Sequence, residues 1–211
     1  ITTLEKIKAA KDVPKYHHIV HARGRGNSGK GRKEKTSEPN HIDLIEELGV
    51  EKLPCIFFSF SRKDCQIKAE ELSKAKLFDS NPAILIQFNE KLREAPIDIM
   101  KLKSVQLIKQ VISQGIAFHH AGLLPIIKEA VEELFGKGLI RVLYATETFA
   151  VGINMPAKTV CFQSLRKFDG ANFRFLNSKE YFQIAGRAGR RGMDKEGFVY
   201  AMVDRRDFDY S

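Results

Sequence analysis

Two arginines three positions apart, Arg187 and Arg190, are the side chains in this sequence best suited to act on a phosphate group. They lie in residues 183–192 (Q-I-A-G-R-A-G-R-R-G), where three glycines leave space around the two guanidinium groups. Two planar guanidinium forks directed at one point match the charge that spreads over a phosphoryl group during its transfer. The alternative is that a turn rich in Gly and Arg binds only an RNA backbone or solvent.

A second candidate segment, residues 145–156 (A-T-E-T-F-A-V-G-I-N-M-P), directly follows a strand predicted over residues 139–144. Ligands of parallel α/β sheets bind at the carboxyl ends of the strands. Thr146 and Thr148 offer hydroxyl donors to phosphate oxygens there, and Gly152 allows a close approach of the backbone. Thr146 is also suited to cap the following helix, a role that does not exclude a ligand contact.

Two shorter segments also stand at predicted strand ends. Residues 119–125 (H-H-A-G-L-L-P) follow a strand predicted over 116–118, and residues 59–62 (S-F-S-R) end a strand that begins at Cys55. Because adjacent histidines point in different directions, we expect a single capping or phosphate-contacting histidine rather than a two-histidine metal site. Residues 59–62 have two equally supported interpretations. Their hydroxyls and guanidinium could bind a ligand, or they could form a helix cap followed by a solvated arginine.

Alternating strands and helices are needed to bring these segments together. Hydrophobic periodicity predicts strands over residues 55–60, 116–118, 139–144, 159–163 and 198–203, and helices over 62–77, 101–114, 125–135 and 179–185. This alternation predicts an α/β fold, a three-layer domain with a mostly parallel sheet flanked by helices. Residues 79–100 give no readable pattern, because Asn81-Pro82 and Ala95-Pro96 interrupt it.

Composition limits the class of protein. At about 150 residues per domain, 211 residues predict one domain with an appendage. No apolar run reaches the roughly 18 residues of a transmembrane helix, so we expect no membrane association. Three cysteines without metal-type spacing favour a reducing compartment, so we expect an intracellular protein, cytoplasmic or nuclear. The absence of an initiator Met is typical of a piece of a longer protein.

The net charge of +9 predicts a polyanionic partner. It is concentrated in residues 1–40 and 141–192, each of which carries an excess of six basic side chains. Residues 24–31 nearly spell a phosphate-binding loop, but Gly31 occupies the position of the magnesium-binding hydroxyl and no apolar helix follows. We therefore predict a flexible basic linker over residues 1–40 and a folded domain over 41–211. No D-E-x-[HD] magnesium box occurs in the chain.

The candidate segments, taken in order, resemble motifs IV, IVa, V and VI of superfamily-two helicases, in the variants of the superkiller-like DExH-box RNA helicases that serve the RNA exosome. The matches are F-x-S-R-x-x-C over residues 58–65 with one extra residue, H-H-x-G-L-L-P over 119–125, A-T-E-T-F-A-x-G-x-N-M-P over 145–156 and Q-x-x-G-R-A-G-R-R-G over 183–192. Residues 166–170 (R-K-F-D-G) also look like a segment of the exosome-assisting branch. The resemblance covers about residues 53–204.

This resemblance implies the second of two RecA-like domains, with ATP bound in the cleft between them. Arg187 and Arg190 would then be the catalytic arginine fingers, and Gln183 would lie beside them near the phosphates. Gly152 and Asn154 would lie near the nucleotide, although Asn154 stands where the related DEAD-box pattern has Asp. ATP would come with Mg²⁺, held mainly by the phosphate loop and DExH box of a first domain.

Arg62, His120, Gly122 and Thr146 would by the same resemblance face the RNA backbone. The implied activity is ATP-dependent RNA unwinding by a longer protein, with this chain inactive alone. The implied partners are RNA, the first RecA-like domain of the same polypeptide, and the RNA exosome or other RNA-decay factors.

Three alternatives remain open at the level of sequence. A DNA helicase of the same superfamily shares the H-H-x-G-L and Q-x-x-G-R-A-G-R patterns. A lone RecA-like domain could serve as a non-catalytic nucleic-acid-binding scaffold. Such a scaffold would not need both arginines at their spacing from Gln183, so their presence speaks against it. A self-sufficient phosphate-loop NTPase would depend on Lys30.

Overall fold

The computed structural model describes residues 40–152 and 155–203, and for residues 151 and 152 only the helical backbone. The chain divides after Asn40 into two units, and every described element belongs to the second, His41–Ser211. The near-phosphate loop of residues 24–31 and Asn154 lie outside the described residues. The assignment of residues 1–40 as a linker stays a prediction.

Seven strands are described: β1 (Cys55–Phe58), β2 (Ile116–His119), β3 (Val142–Ala145), β4 (Thr159–Phe162), β5 (Arg166–Phe168), β6 (Phe173–Phe175) and β7 (Phe198–Ala201). Five of them form one sheet in the order β2-β3-β1-β4-β7, and every neighbouring pair in it is parallel. Strands β5 and β6 form a separate antiparallel hairpin.

Eight α-helices are described: α1 (His41–Leu48), α2 (Arg62–Ala75), α3 (Pro82–Lys91), α4 (Ile97–Met100), α5 (Lys103–Val111), α6 (Pro125–Gly136), α7 (Glu147–Gly152) and α8 (Ser178–Ala185). Short 3₁₀ turns follow α1 and α5, at Val50–Lys52 and Ile112–Gln114. Every residue of β1 to β4 is buried, so these strands are covered on both faces, as a parallel sheet between helices requires. The predicted α/β fold with a mostly parallel sheet is confirmed.

Capping residues explain where several helices begin and end. The hydroxyl of Ser61 accepts a hydrogen bond from the backbone N–H of Asp64 and starts α2. Asn81 caps α3 in the same way, and Pro82 takes the first helical position, where its missing N–H costs nothing. At the end of the turn after α5, Gly115 adopts φ 71°, a left-handed conformation that favours glycine.

The predicted strands and helices are present, with shifted ends. The third strand begins at Val142 rather than at residue 139, and the helix predicted over 101–114 is α5 followed by a 3₁₀ turn. The sequence patterns did not predict helices α1, α3 and α4 or the β5–β6 hairpin. Asn81-Pro82, which interrupts the periodicity in the sequence, is a helix start.

The three cysteines are free thiols, and all three are buried in the core. In the part of the chain that the structure describes, no helix has both the length and the apolar character needed to cross a membrane.

A buried polar contact fixes α1 on the sheet. Nδ1 of His41 accepts a hydrogen bond from the hydroxyl of Tyr144 at 2.7 Å, and Nε2 lies 3.0 Å from the Glu71 carboxylate. Burial lowers the pKa of His41 and outweighs the opposite effect of Glu71, so the ring is neutral at pH 7. Tyr144 therefore donates, and the Nε2 proton goes to Glu71.

Replacing Tyr144 by Phe should remove the hydroxyl and leave Nδ1 of His41 buried without its donor. We expect the free energy of unfolding to fall by about 1–3 kcal/mol, the cost of an unsatisfied buried polar group. Urea denaturation of the chain measures this as a lower midpoint at unchanged slope. The matched control is Tyr200→Phe, which removes the hydroxyl that Lys52 reaches on the more open β7 strand. Equal losses in the two variants would contradict the assignment.

Candidate functional site

The carboxyl ends of the central strands meet at one edge of the sheet. The backbone N–H of Ser59, just past β1, donates to Ala145 O at 2.9 Å, and Thr146 N donates to His119 O at 3.2 Å. On the other side, the N–H of Gln163 donates to Phe58 O at 2.9 Å. The segments that follow β1, β2 and β3, which the sequence predicted to be functional, therefore lie side by side.

Three of the residues assigned to RNA form one cluster at this edge. The N–H of Gly122 donates to Nδ1 of His120 at 3.1 Å, which closes a tight turn after β2. A Cβ on Gly122 would lie 3.2 Å from Nδ1 of His120 and 3.4 Å from Cδ of Arg62, so the glycine is in contact with both side chains. Arg62 is exposed at the first position of α2.

His120 is a neutral histidine at physiological pH. The residue is 3% exposed, and its ring stacks on Phe118 and lies 2.9 Å from the side-chain amide of Gln66. Burial, followed by the positive charge of Arg62, lowers the pKa of His120 to about 4. Because Nδ1 accepts the backbone N–H of Gly122, the neutral ring carries its proton on Nε2. The Gln66 amide must then turn its oxygen toward Nε2, since two N–H groups cannot hydrogen-bond to each other.

The ring of His119 does not join this cluster and packs inside the domain against Glu132 and Phe149. Its Nε2 lies 2.7 Å from a carboxylate oxygen of Glu132, and its ring packs edge-on against Phe149. Burial lowers the pKa of His119 although the hydrogen bond to Glu132 acts in the opposite direction. Within the described residues, no group of three or more His, Cys, Asp or Glu side chains could hold a metal ion.

Thr146 occupies the turn between β3 and α7. Its hydroxyl lies 3.0 Å from that of Thr148, and its carbonyl accepts the N–H of Phe149. Thr146 is buried whereas Thr148 is exposed. The turn thus presents one hydroxyl to the surface and holds the other beneath it.

Arg187 and Arg190 lie in the loop after α8, and glycines determine the path of that loop. Ala157 N donates to Arg187 O at 2.9 Å and Gly189 N donates to Ala157 O at 2.7 Å, so the loop runs alongside the start of β4. Gly189 has φ 88°, which favours glycine, and a Cβ on Gly197 would come within 2.6 Å of Gly189 N. Larger residues at these two positions would displace the arginines.

The two guanidinium groups engage different partners inside the domain. Nη2 of Arg187 donates to the carbonyl of Ala150 in α7. Arg190 forms a fork on Asp194, with Nε 2.7 Å and Nη2 2.8 Å from the two carboxylate oxygens. The Arg190 guanidinium lowers the pKa of Asp194 to about 2. The arginine loop therefore lies beside the amino-terminal end of β4, and in this structure the two guanidinium groups are not directed at one point.

The remaining candidates for the nucleotide site differ in how far the structure describes them. Gln183 is exposed on α8, one helical turn before Arg187. Gly152 is the last residue of α7, and Asn154 lies outside the described residues.

Sequence reasoning missed several side chains that hold these residues. Asp194 could have been found, since it stands four positions after Arg190 with opposite charge. Gln66 and the ion pairs of Lys167 with Glu147 and Glu180 join segments far apart in the chain, and the sequence carries no local signal for them.

A parallel five-stranded sheet flanked by helices, with a hydroxyl turn at its carboxyl edge, is the architecture of a RecA-like domain. Residues 68–192 match the family model "Helicase conserved C-terminal domain". The chain belongs to this family of helicase C-terminal domains.

Among its relatives, the chain is 45% identical over 181 residues to mouse "Exosome RNA helicase MTR4", an alignment that covers 84% of the chain. It is 50% identical over 155 residues, or 72% of the chain, to "DExH-box ATP-dependent RNA helicase DExH9" of Arabidopsis thaliana. It is 42% identical over 188 residues, or 86% of the chain, to "ATP-dependent RNA helicase mtr4" of Schizosaccharomyces pombe. The alignments cover 17%, 16% and 17% of these relatives, so the chain spans about one sixth of their length. The resemblance to the exosome-assisting branch of the DExH-box RNA helicases is confirmed.

The low pKa of His120 makes the stability of the chain depend on pH. The pKa is about 4 in the folded chain against 6.5 in the unfolded one, so the unfolded state binds more protons between these values. The stabilisation is present above pH 6.5 and is lost as the pH falls toward 4. Between pH 7 and pH 5 we expect the wild type to lose about 1–2 kcal/mol more unfolding free energy than His120→Gln. Urea titrations at the two pH values measure the difference, and parallel losses would contradict it.

Proposed function

We propose that this chain is the second motor domain of an ATP-dependent RNA helicase, with an ATP-facing loop and an RNA-facing edge linked through helix α7. One observation carries the proposal. Thr146, assigned to RNA, immediately precedes α7, and Arg187, assigned to ATP, donates to the Ala150 carbonyl within it. The names of two relatives, "Exosome RNA helicase MTR4" and "DExH-box ATP-dependent RNA helicase DExH9", support RNA and ATP as the two ligands.

ATP binds in a cleft between this domain and a first RecA-like domain, which supplies the phosphate loop and the carboxylates for Mg²⁺. Gln183, Gly152 and Asn154 line the nucleotide on this side. As the cleft closes, Arg187 exchanges the Ala150 carbonyl for the γ-phosphate, where an arginine finger is worth roughly 10³–10⁵ in rate.

Arg190 reaches the same phosphate from its fork on Asp194. That fork uses Nε and one N–H of Nη2, and within the described residues no hydrogen bond involves Nη1 or the second N–H of Nη2. These are the N–H groups that Arg190 offers to ATP. Catalytic roles belong to Arg187 and Arg190, and Asp194 acts by orienting the second of them.

RNA runs along the carboxyl edge, where Arg62, His120, Gly122 and Thr146 contact its backbone. His120 and Thr146 are nearly buried, so their contacts form only when RNA shifts the turns that carry them. Arg62 supplies the charge, and contacts with phosphate and sugar do not depend on base identity. Hydrolysis reopens the cleft and moves these contacts relative to those of the first domain, which advances the strand.

In this proposal residues 1–40 link the two motor domains, and residues 41–211 are the helicase C-terminal domain. The chain alone does not hydrolyse ATP, because half of the nucleotide site lies on the first domain. The name of the mouse relative, "Exosome RNA helicase MTR4", supports the RNA exosome, or another RNA-decay assembly, as a partner of the whole protein.

Replacing Arg187 by Ala in the full-length protein should reduce RNA-stimulated ATP hydrolysis by about 10³-fold or more, because the γ-phosphate loses its guanidinium partner. RNA affinity should stay close to the wild-type value. A steady-state ATPase assay with saturating RNA measures the rate. Arg191→Ala, in the same loop and exposed, is the matched control and should retain the activity. Wild-type hydrolysis by Arg187→Ala would contradict the finger assignment.

Replacing Arg62 by Ala in the full-length protein should weaken RNA binding uniformly across sequences. It should also lower the slope of log affinity against log salt by about 1, as expected for the loss of one phosphate contact. Fluorescence anisotropy at several salt concentrations measures both quantities. Lys74→Ala removes a cation from the opposite end of α2 and serves as the control. An unchanged slope for Arg62→Ala would remove this residue from the RNA interface.

A further inference from the structure

The β5–β6 hairpin carries Lys167 and Arg174 on one face, and its aromatic residues together with Arg166 on the other. Lys167 pairs with Arg174 across the hairpin, whereas Phe168 pairs with Phe173 and Arg166 with Phe175. Because side chains alternate along a strand, Lys167 and Arg174 share one face. Phe168, Phe173 and Phe175 lie on the other face and are largely exposed.

Lys167 on the first of these faces is the centre of an ion-pair network. Its Nζ lies 2.7 Å from Oε2 of Glu147 and 2.8 Å from Oε1 of Glu180, and its side chain is 13% exposed. Arg174 contacts both carboxylate oxygens of Glu180, each at 2.8 Å. Burial alone would lower the pKa of Lys167, but its hydrogen bonds to Glu147 and Glu180 outweigh burial and raise it. Lys167 is therefore a charged group held between two carboxylates.

The two carboxylates belong to the helices that carry the proposed RNA and ATP contacts. Glu147 is the first residue of α7 and directly follows Thr146. Glu180 lies in the first turn of α8, where its side chain also accepts the N–H of Asn177 in a capping box. Lys167 thus links the N-terminal ends of α7 and α8.

The same two helices are connected again further along. Arg187, in the loop just after α8, donates to the carbonyl of Ala150 in α7. Lys167 joins the N-terminal ends of the two helices, and Arg187 joins the loop after α8 to α7. A displacement of α7 would therefore also displace α8 and its loop.

We propose that Lys167 is a positioning residue that couples RNA binding to ATP hydrolysis by holding α7 and α8 in one alignment. The inference rests on the proposed function, in which RNA contacts the turn before α7 and ATP contacts the loop after α8. RNA that shifts the turn at Thr146 moves Glu147, and through Lys167 it moves Glu180 and the helix before the arginine fingers.

Removing the ammonium group should break this link in a specific way. Glu147 and Glu180 would face each other without the cation between them, and like charges repel. Arg174 would still hold Glu180 on the hairpin, so the failure is confined to the contact with α7. Binding of RNA by the strand edge and binding of ATP by the loop would each remain, but one would no longer affect the other.

The test uses the full-length protein with Lys167→Met, which keeps the aliphatic stem, Lys167→Arg, which keeps the charge, and Lys179→Met as the matched control on the exposed side of α8. ATPase rates are measured without RNA and over a series of RNA concentrations. For Lys167→Met we expect the maximal stimulation by RNA to fall about 3- to 30-fold, the range for residues that carry coupling between sites. The RNA concentration for half-maximal stimulation should stay near the wild-type value. Lys167→Arg should restore most of the stimulation, and Lys179→Met should behave as the wild type.

A double variant tests whether the loss of RNA stimulation arises from the contact between Lys167 and Glu147. If Lys167 acts through Glu147, then Lys167→Met combined with Glu147→Gln should reduce the stimulation no further than Lys167→Met alone. Fully multiplied losses in the double variant would overturn the inference.

The other outcomes separate the inference from the proposed function. Stimulation of Lys167→Met at the wild-type level, or an equal fall in its basal and stimulated rates together with a lower melting temperature, would overturn the inference and leave the motor function standing. A fall in Lys179→Met as large as that in Lys167→Met would do the same. A wild-type protein whose ATPase does not respond to RNA would contradict the proposed function and the inference with it.

Discussion

The geometry of a parallel sheet is the constraint on which the candidate site depends. The carboxyl ends of all strands in such a sheet lie at the same edge. Residues at the ends of different strands therefore become neighbours although they are far apart in the sequence. Ser59, His119 and Thr146 meet in this way through the hydrogen bonds of the strand ends. Helices cover both faces of β1 to β4, and their packing against the buried side chains of these strands stabilises the alignment.

Elements of the fold could be predicted from the sequence where a local pattern of residues determines them, but not where contacts between distant residues do. Strands and helices of the sheet have periodic hydrophobic patterns, and the cap at Ser61 and the stop at Gly115 are local, so both were accessible. The β5–β6 hairpin has three-residue strands that leave its aromatic residues largely exposed, a pattern with no hydrophobic periodicity. Helix α1 is held by the contact of His41 with Tyr144, more than a hundred residues away, which no local pattern encodes.

The sequence offers candidate side chains for the site by their type, but it does not give their hydrogen-bond partners. The spacing of Arg187 and Arg190 indicated a phosphate site, yet the fold gives each guanidinium a contact of its own, with Ala150 and Asp194. Likewise, the sequence marks His120 as a candidate, whereas its neutral state follows from burial beside Arg62. The net charge of +9 is a property of the whole chain. In the described residues, several of its cations are paired with carboxylates of the same domain.

The fork between Arg190 and Asp194 has a consequence for the entropy of the site. A free arginine side chain samples many rotamers, and immobilising it costs about 2 kcal/mol. Asp194 has already restricted Arg190 to one orientation, since both carboxylate oxygens and the Arg190 backbone N–H take part in the contact. In the motor proposed above, that loss of freedom occurs when the domain folds rather than each time ATP arrives. A carboxylate that never touches the nucleotide would thus raise the affinity for it.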